Sequence, residues 1–438
     1  MRLLHTSDWH LGISTGRFSR HQDHERFFEW LLAVIEERAV DVLVVAGDIF
    51  DGMQPSNEAL KLYYSFLSRA GGSCLSAVVI VGGNHDSSAV LEAPATILSG
   101  LRVHVVGGLQ SAERDEVVSK ALIPIFLRQE ERATEQSASA QSPVAVVAAL
   151  PYLHEYRLGV RATVGEDDVF RGQLQNKFRE IYSWLADAAE ERFPQVPLFA
   201  TGHLTIGEAR AGDSPREVHR VGQIDALSSS IFDARISYVA LGHIHRCYPV
   251  ERARVWYSGS PLPMSFPEGA RPRHVLLVDN IKKGSEPSIE MVTVPVQRRL
   301  LTFKGALPAI QEEIAKLRIV TGELPALLSL EVGVEGAEPL LFQRLQELVL
   351  SIAPEGEFLL VELKEYLLTQ HEFSQESKVL HLEEMALMDV FAELCEARGE
   401  AETQELNHAL QMLQNLPEPE FESLLKDAGE EALGEVSK

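Results

Sequence analysis

The chain has 438 residues, a net charge of −24 and 45% apolar residues, which is length for two or three domains and the composition of an ordinary soluble globular protein. No stretch approaches the ~20 apolar residues of a membrane span, and the start, Met1-Arg2 followed by a strand, lacks an apolar signal region. Three widely spaced cysteines (Cys74, Cys247, Cys395) exclude a disulfide framework and fit a reducing cytoplasm, and the acidic balance argues against a stand-alone binder of duplex DNA, whose phosphates call for Lys and Arg.

In chain order, residues 1–6 form a short apolar run that ends at Asp8-Trp9-His10. Residues 23–38 have helical spacing. The run 42–46 (Val-Leu-Val-Val-Ala) ends at Gly47-Asp48-Ile49-Phe50-Asp51, and a second helix is expected over 57–70. The run 77–81 ends at Gly82-Gly83-Asn84-His85-Asp86, with a helix expected over 90–101. Residues 128–142 are polar and of low complexity and read as an exposed excursion. A long helix over 177–192 precedes the run 198–201, which ends at Gly202-His203; residues 209–221 then read as a loop. The run 236–241 ends at Gly242-His243-Ile244-His245. Such continuous Val- and Ile-rich runs read as strands buried on both faces, and their alternation with helices predicts a largely parallel inner sheet. Ligands gather at the carboxyl ends of such strands, and all five motifs stand there.

Residues 282–287 (Lys-Lys-Gly-Ser-Glu-Pro) carry a linker signal. Strands over 288–294, 299–303, 326–332 and 358–366 and helices over 307–317 and 339–352 then describe a compact α+β module of about ninety residues. The end of the chain changes character, with amphipathic helices expected over 379–398, 402–416 and 418–433. From Glu376 onward sixteen Asp and Glu stand against four Lys and Arg, so half of the excess negative charge sits in the last 63 residues. The short basic pairs Arg17/Arg20, Arg252/Arg254 and Arg271/Arg273 read as solvated surface rather than contacts to nucleic acid.

The motifs share one chemistry. A carboxylate such as Asp48 can bridge two cations, while His and Asn fill a coordination shell without over-neutralising it. Two metals about 3.5–4 Å apart can clamp a phosphoryl group during in-line displacement. Imidazole with carboxylate suits manganese, zinc or iron better than calcium, and no cysteine stands in a motif, which excludes a thiolate-rich zinc site. Taken singly each motif is weak: an Asp-x-His or a Gly-Asp after a strand is commonly a turn, and Gly-Asn-His-Asp and Gly-His-x-His are stronger. Five in series are not explained as turns.

These motifs resemble those of the calcineurin-like metallophosphoesterase superfamily. Within it, residues 1–12 (Met-Arg-Leu-Leu-His-Thr-Ser-Asp-Trp-His-Leu-Gly), Val45 to Asp51 and Tyr257-Ser258-Gly259-Ser260-Pro261-Leu262 resemble the SbcD family, nuclease subunits of bacterial SbcCD double-strand-break complexes. The resemblance covers about the first 280 residues well and the rest by layout. It implies an α/β fold, a β-sandwich flanked by helices (residues 1–282), a small α+β capping domain (283–370) and a helical segment docking on the ATPase partner (371–438). It implies that Asp8, His10, Asp48 and His245 hold one divalent metal and Asp48, Asn84, His203 and His243 a second, with manganese the favoured ion, and that His85 is the catalytic histidine. Asp51 and Asp86 are read either as groups that orient ligands or as turn and capping residues. The implied partners are DNA, an SbcC-like ATPase with a coiled coil in a heterotetramer-type assembly, and a second copy of the chain through the nuclease domain, with Leu60, Tyr63, Tyr64 and Leu67 as candidates and two of those four equally open to a core role. The implied activity is manganese-dependent cleavage of DNA in the cytoplasm, ATP-linked on duplex ends and endonucleolytic on single strands or hairpins. The chain itself has no Gly-x-x-x-x-Gly-Lys-[Ser/Thr] loop, so ATP hydrolysis falls to the partner. The alternatives are a phosphoesterase of small phosphodiesters or phosphoproteins, and a non-catalytic scaffold; the added domains speak against the first and the intact ligand set against the second.

Overall fold

The computed structural model describes residues 1–128, 142–160, 167–207, 227–250, 254–269, 271–318, 320, 322–334, 340–354 and 356–367. The chain divides into two units, Met1–Leu368 and Thr369–Lys438. The expected tail helices, most of the polar excursion and the loop over 209–221 lie outside the described residues.

The first part of the chain runs through β1 (Leu3–Thr6), a small hairpin of β2 (Ser14–Thr15) and β3 (Phe18–Ser19), α1 (His21–Glu37), β4 (Val42–Ala46), α2 (Asn57–Gly72), β5 (Ala77–Val81), α3 (Ser88–Glu92), α4 (Ala95–Gly100) and β6 (Val103–Val106). It continues through α5 (Arg114–Ala121), β7 (Leu122–Ile125), β8 (Ala145–Ala149), α6 (Asp167–Arg192), β9 (Leu198–His203), β10 (Ile236–Gly242), β11 (Tyr248–Pro249), β12 (Val255–Tyr257), β13 (Arg273–Asp279) and β14 (Ser288–Val294). These strands make two six-stranded sheets, ordered β14-β13-β1-β4-β5-β6 and β11-β12-β10-β9-β8-β7. The strands that end in motifs are parallel to their motif-bearing neighbours, β1 with β4, β4 with β5, and β9 with β10.

The apolar runs are continuous because alternate residues enter different cores. Leu3, Val42, Val44, Ala77, Val79 and Val81 pack with residues of the second sheet, such as Val147, Phe199 and Val239. Leu4, Leu43, Val45, Val78 and Ile80 pack with Phe27, Phe28 and Leu31 of α1 and Tyr63, Phe66 and Leu67 of α2. Each Val, Leu, Ile or Phe among them contributes about 1.5–3 kcal/mol on burial. Tyr63 and Leu67 are fully buried in this core, which removes them from the set of interface candidates; Leu60 and Tyr64 are half-buried.

Two elements differ from expectation. The helix expected over 90–101 is two short helices, α3 and α4, because Pro94 between them has no N–H to give and its ring clashes with the preceding turn. The segment 282–287 is not an inter-domain linker but a hairpin connection, since β14 pairs antiparallel with β13 at the edge of the first sheet.

Beyond it, β15 (Arg298–Ala306), α7 (Leu307–Ala315), β16 (Leu324–Val334), α8 (Leu341–Ile352) and β17 (Phe358–Leu367) form a parallel three-stranded unit in the order β15-β16-β17. One core contains Ile310, Ile314, Leu345 and Val349 of its helices. A second joins Leu300 and Leu327 to Phe266, with Phe18, Leu359 and Val361 beside them. A buried ionic triad ties this unit to α1. Asp23 Oδ1 accepts from Arg20 Nε (2.9 Å), and Asp23 Oδ2 accepts from Arg298 Nε (3.0 Å). Arg20 also donates to the Pro263 carbonyl and Arg298 to the Pro325 carbonyl. Asp23→Ala leaves two guanidinium groups buried without their carboxylate, and is expected to cost about 3–5 kcal/mol in denaturant unfolding; a loss under about 1 kcal/mol would show the triad to be energetically idle.

Candidate metal centre

The site is assembled where β1, β4, β5, β9 and β10 end. Trp9 anchors the first motif: its ring meets Phe28 edge-on at 4.9 Å and Phe66 at 5.3 Å, and its indole N–H donates to Thr6 Oγ1 (3.1 Å). With Trp9 turned into the core, its neighbours take left-handed backbone, Asp8 at φ 52° and His10 at φ 47°; Asp48 (φ 49°) and His243 (φ 98°) share it. Such conformations cost of order 1–3 kcal/mol each outside glycine and persist only where the surroundings over-determine them. Here the Asp8 N–H donates to the Gly47 carbonyl, the His10 N–H to the Asp48 carbonyl and the Leu11 N–H to the Ile49 carbonyl. Two glycines are required by close approach. A Cβ on Gly83 would lie 2.1 Å from Asp48 Oδ1, and one on Gly242 would lie 1.8 Å from the Ala46 carbonyl oxygen.

All eight residues singled out in the sequence converge. Asp48 Oδ2 lies 3.6 Å from His10 Nε2 and 3.3 Å from His203 Nε2, between the two halves of the site. On one side, His10 Nε2 and His245 Nε2 stand 3.2 Å apart, and Asp8, His10 and His245 offer ligand atoms within one small sphere. On the other, Asn84 Oδ1 is 3.0 Å from both His203 Nε2 and His243 Nδ1. Asp8 Oδ1 accepts the His243 N–H (2.9 Å), and Asp48 Oδ1 accepts the His85 N–H (3.0 Å). His85 also lines the cleft, and its Nδ1–H donates to the Asp51 carbonyl (3.0 Å).

The arrangement fits metal ions. His203 donates Nδ1–H to the Ala46 carbonyl (2.9 Å), which aims Nε2 at the Asn84 and Asp48 oxygens. Oxygens and a ring nitrogen at such distances call for a positive charge between them, a proton on Nε2 or a metal cation in its place. Burial disfavours a charged His203 ring, yet the Asp48 carboxylate outweighs it and pushes the pKa up to about 9. Burial likewise works against the Asp48 anion, but His203 and His10 hold its pKa well below the usual carboxylate range. His10 Nδ1 is buried without a hydrogen-bond partner. The donors are imidazole, carboxylate and amide oxygen, the set that suits first-row divalent ions. Cys247 is half-buried beside them and burial pushes its thiol up to about 12, so it adds no thiolate.

Asp86 binds the second motif to the third: its carboxylate accepts the Ile49 and Phe50 N–H groups (3.1 and 3.0 Å) and the Gly83 N–H (2.8 Å). Asp51 is partly exposed, with Oδ1 3.6 Å from His10 Nδ1. The stretch 257–262 is a brace. The Tyr257 hydroxyl accepts the Ile206 N–H and donates to the Leu204 carbonyl (both 2.8 Å), which holds the segment after His203, and Ser258 Oγ meets Ser7 Oγ at 2.8 Å.

Sequence reasoning missed Glu268 and misread Arg273. Both are buried; Arg273 Nη2 pairs with Glu268 Oε2 at 2.8 Å and Arg273 Nη1 donates to the His245 carbonyl at 2.7 Å. Glu268 Oε1 lies 3.8 Å from His245 Nδ1. Burial would raise the Glu268 carboxyl, but His245 and Arg273 hold it at about 2. A carboxylate behind a ligand histidine orients the ring and raises its basicity. Arg20 is likewise buried in its ionic triad rather than solvated, and Arg254 caps carbonyls of the 234–236 turn. The short-range pairs, Arg20 with Asp23 and Glu268 with Arg273, read in sequence as ordinary surface ion pairs; the fold buries them by adding Arg298 to the first and His245 to the second.

A histidine- and carboxylate-lined cleft at the carboxyl edges of two facing sheets is the architecture of a metal-dependent phosphoesterase. Residues 1–247 match the family model described as calcineurin-like phosphoesterase. Among curated relatives, the SbcD subunit of the SbcCD nuclease from Escherichia coli (strain K12) is 33% identical over 346 residues, covering 76% of this chain and 78% of that one. The SbcD subunit from Rhodobacter capsulatus is 33% identical over 313 residues (70% and 73% covered), and that of Bacillus subtilis (strain 168) 28% over 309 residues (70% and 73%). The chain belongs to the calcineurin-like phosphoesterase family and, within it, to the SbcD branch. Among the described residues no helix is long and apolar enough to cross a membrane.

Proposed function

We propose that the chain is a two-metal DNA phosphodiesterase, the nuclease subunit of an SbcCD-like complex, with manganese as its working ion. The observation that carries this reading is the position of Asp48, one carboxylate between two histidine-lined half-sites. Asp8, His10, Asp48 and His245 would hold one ion, and Asp48, Asn84, His203 and His243 the other. Two ions held there supply Lewis acidity at the phosphoryl oxygens and a nucleophile at neutral pH. The protein's own work is orientation and proton transfer. Asp8 and Asp48 are fixed by backbone donors from the His243 and His85 positions. Glu268 steadies His245. His85, tethered through Nδ1 to the Asp51 carbonyl, presents its Nε2 edge to the leaving oxygen and donates the proton that the departing alkoxide needs.

The unit from β15 to β17 acts as a capping domain. The acidic segment 371–438 docks on the coiled-coil root of an SbcC-like ATPase, which brings duplex DNA to a chain whose own charge of −24 opposes it. Two copies pair through the nuclease domain, Leu60 and Tyr64 being the candidates left exposed enough to take part. The complex works in the cytoplasm, as an ATP-linked exonuclease on duplex ends and an endonuclease on single strands and hairpins. The test is an assay with manganese of the purified chain, with and without the ATPase and ATP, on end-labelled duplex, hairpin DNA and a small phosphodiester. Hairpin cleavage by the chain, with duplex degradation only when ATPase and ATP are added, is expected. Turnover of the small diester with no cleavage of any DNA would count against the reading.

A further inference from the structure

The segment that follows β8 carries aromatic residues on one side and leucines on the other. Leu153 and Leu158 are buried, while Tyr152 and His154 are half-buried and Tyr156 is 67% exposed. The rings form a file that begins at the metal centre. Tyr152 meets the His203 ring edge-on at 6.3 Å, His154 meets Tyr152 edge-on at 4.9 Å, and Tyr156 stacks on His154 at 5.5 Å with the planes 19° apart. The Arg157 guanidinium lies 5.4 Å from the Tyr156 ring centre and is anchored by a hydrogen bond to the Gln110 carbonyl (2.8 Å). The base of the file is fixed to the third motif, since the Tyr152 N–H donates to the Gly82 carbonyl (2.8 Å).

We infer that Tyr156, at the outer end of this file, is a stacking site for an unpaired nucleobase of a DNA strand whose backbone enters the cleft. The inference rests on the DNA phosphodiesterase reading above and adds to it where the strand leaves the site. A single exposed aromatic is common on protein surfaces and means little by itself. Three rings in successive contact, starting at a candidate metal ligand and ending beside an arginine, make the kind of surface on which single strands bind: bases stack on the rings and the cation adds attraction. Stacking tolerates any base, because each has a π face, so the site favours unpaired over paired strands without reading sequence. A duplex keeps its bases stacked on one another and gains nothing here.

The test uses the full chain. A single-stranded oligonucleotide carrying 2-aminopurine is bound with manganese in the His85→Asn background, which slows cutting, and its fluorescence is read before the first turnover. Cleavage kinetics are measured in the otherwise unaltered chain, together with turnover of bis(p-nitrophenyl) phosphate. The oligonucleotide fluorescence is expected to be quenched on binding, and Tyr156→Ala to abolish the quench. Tyr156→Ala is also expected to raise KM for the oligonucleotide by about 5- to 150-fold, the worth of one base–aromatic stack, with kcat and diester turnover unchanged, while Tyr156→Trp restores both signals. Unchanged quench and KM overturn the stacking site, and so does a parallel fall in diester turnover, which would mark Tyr156 as a support of the fold. A chain that turns over the diester but neither binds nor cuts the oligonucleotide overturns the DNA reading itself. Cutting with the same KM in Tyr156→Ala overturns only the stacking site.

Discussion

Asp48→Asn is expected to empty the metal centre and to lower manganese-dependent turnover on the order of 10³-fold, the several kcal/mol that Lewis-acid stabilisation supplies. The carboxylate faces His10 and His203 at 3.6 and 3.3 Å and is buried. The amide keeps the shape and one acceptor oxygen but cannot bridge two cations. Metal analysis and calorimetry should find less than one tightly held ion per chain in the purified variant and two in the unaltered chain. Binding only to the folded state stabilises it by RT ln(1 + [L]/Kd), about 2.7 kcal/mol at 100 times Kd. The rise in melting temperature on adding manganese should therefore disappear in Asp48→Asn. Two ions retained at unaltered affinity would remove Asp48 from its bridging role.

His85→Asn separates chemistry from binding. Its ring reaches the cleft while its Nδ1 is committed to the Asp51 carbonyl, and its backbone N–H to Asp48 Oδ1. Asparagine preserves the backbone contact and roughly the volume but cannot carry a proton to a leaving group. Turnover is expected to fall by about 10²- to 10⁴-fold, the usual contribution of a general acid, with both ions still bound. A leaving group that needs no proton, such as p-nitrophenolate, should be less affected than a DNA alkoxide. Equal loss on both, or no loss, would assign His85 a purely structural part.

Much of the site was legible because the motif residues lie next to the strands that place them. Asp8, Asp48, Asn84, His203 and His243 each stand at or within a few residues of the end of a buried parallel strand, and such strands write themselves as unbroken Val, Ile and Ala runs. The turn glycines were legible for the same reason, although only the structure shows that Gly83 makes room for the Asp48 carboxylate. The helix after the third motif was drawn too long because its apolar spacing continues across Pro94, where the missing N–H ends α3. The supporting shell was not legible. Glu268 reads as one more surface acid until Arg273 and His245 are brought against it, and Arg20 reads as a solvated base until Asp23 and Arg298 enclose it.

By itself, then, the amino-acid order determined which residues meet in the cleft, the parallel strands that present them and the family to which they point. Those properties are local, being set by burial on two faces and by the turn chemistry that follows each run. Only the tertiary structure decided that a carboxylate–arginine pair backs His245, that α1 is locked to the β15–β17 module through charges 275 residues apart, and that a file of rings leads outward from His203. The physical reason is the same in each case: a charge or ring acquires its role from what it is buried against, and those neighbours come from remote parts of the chain.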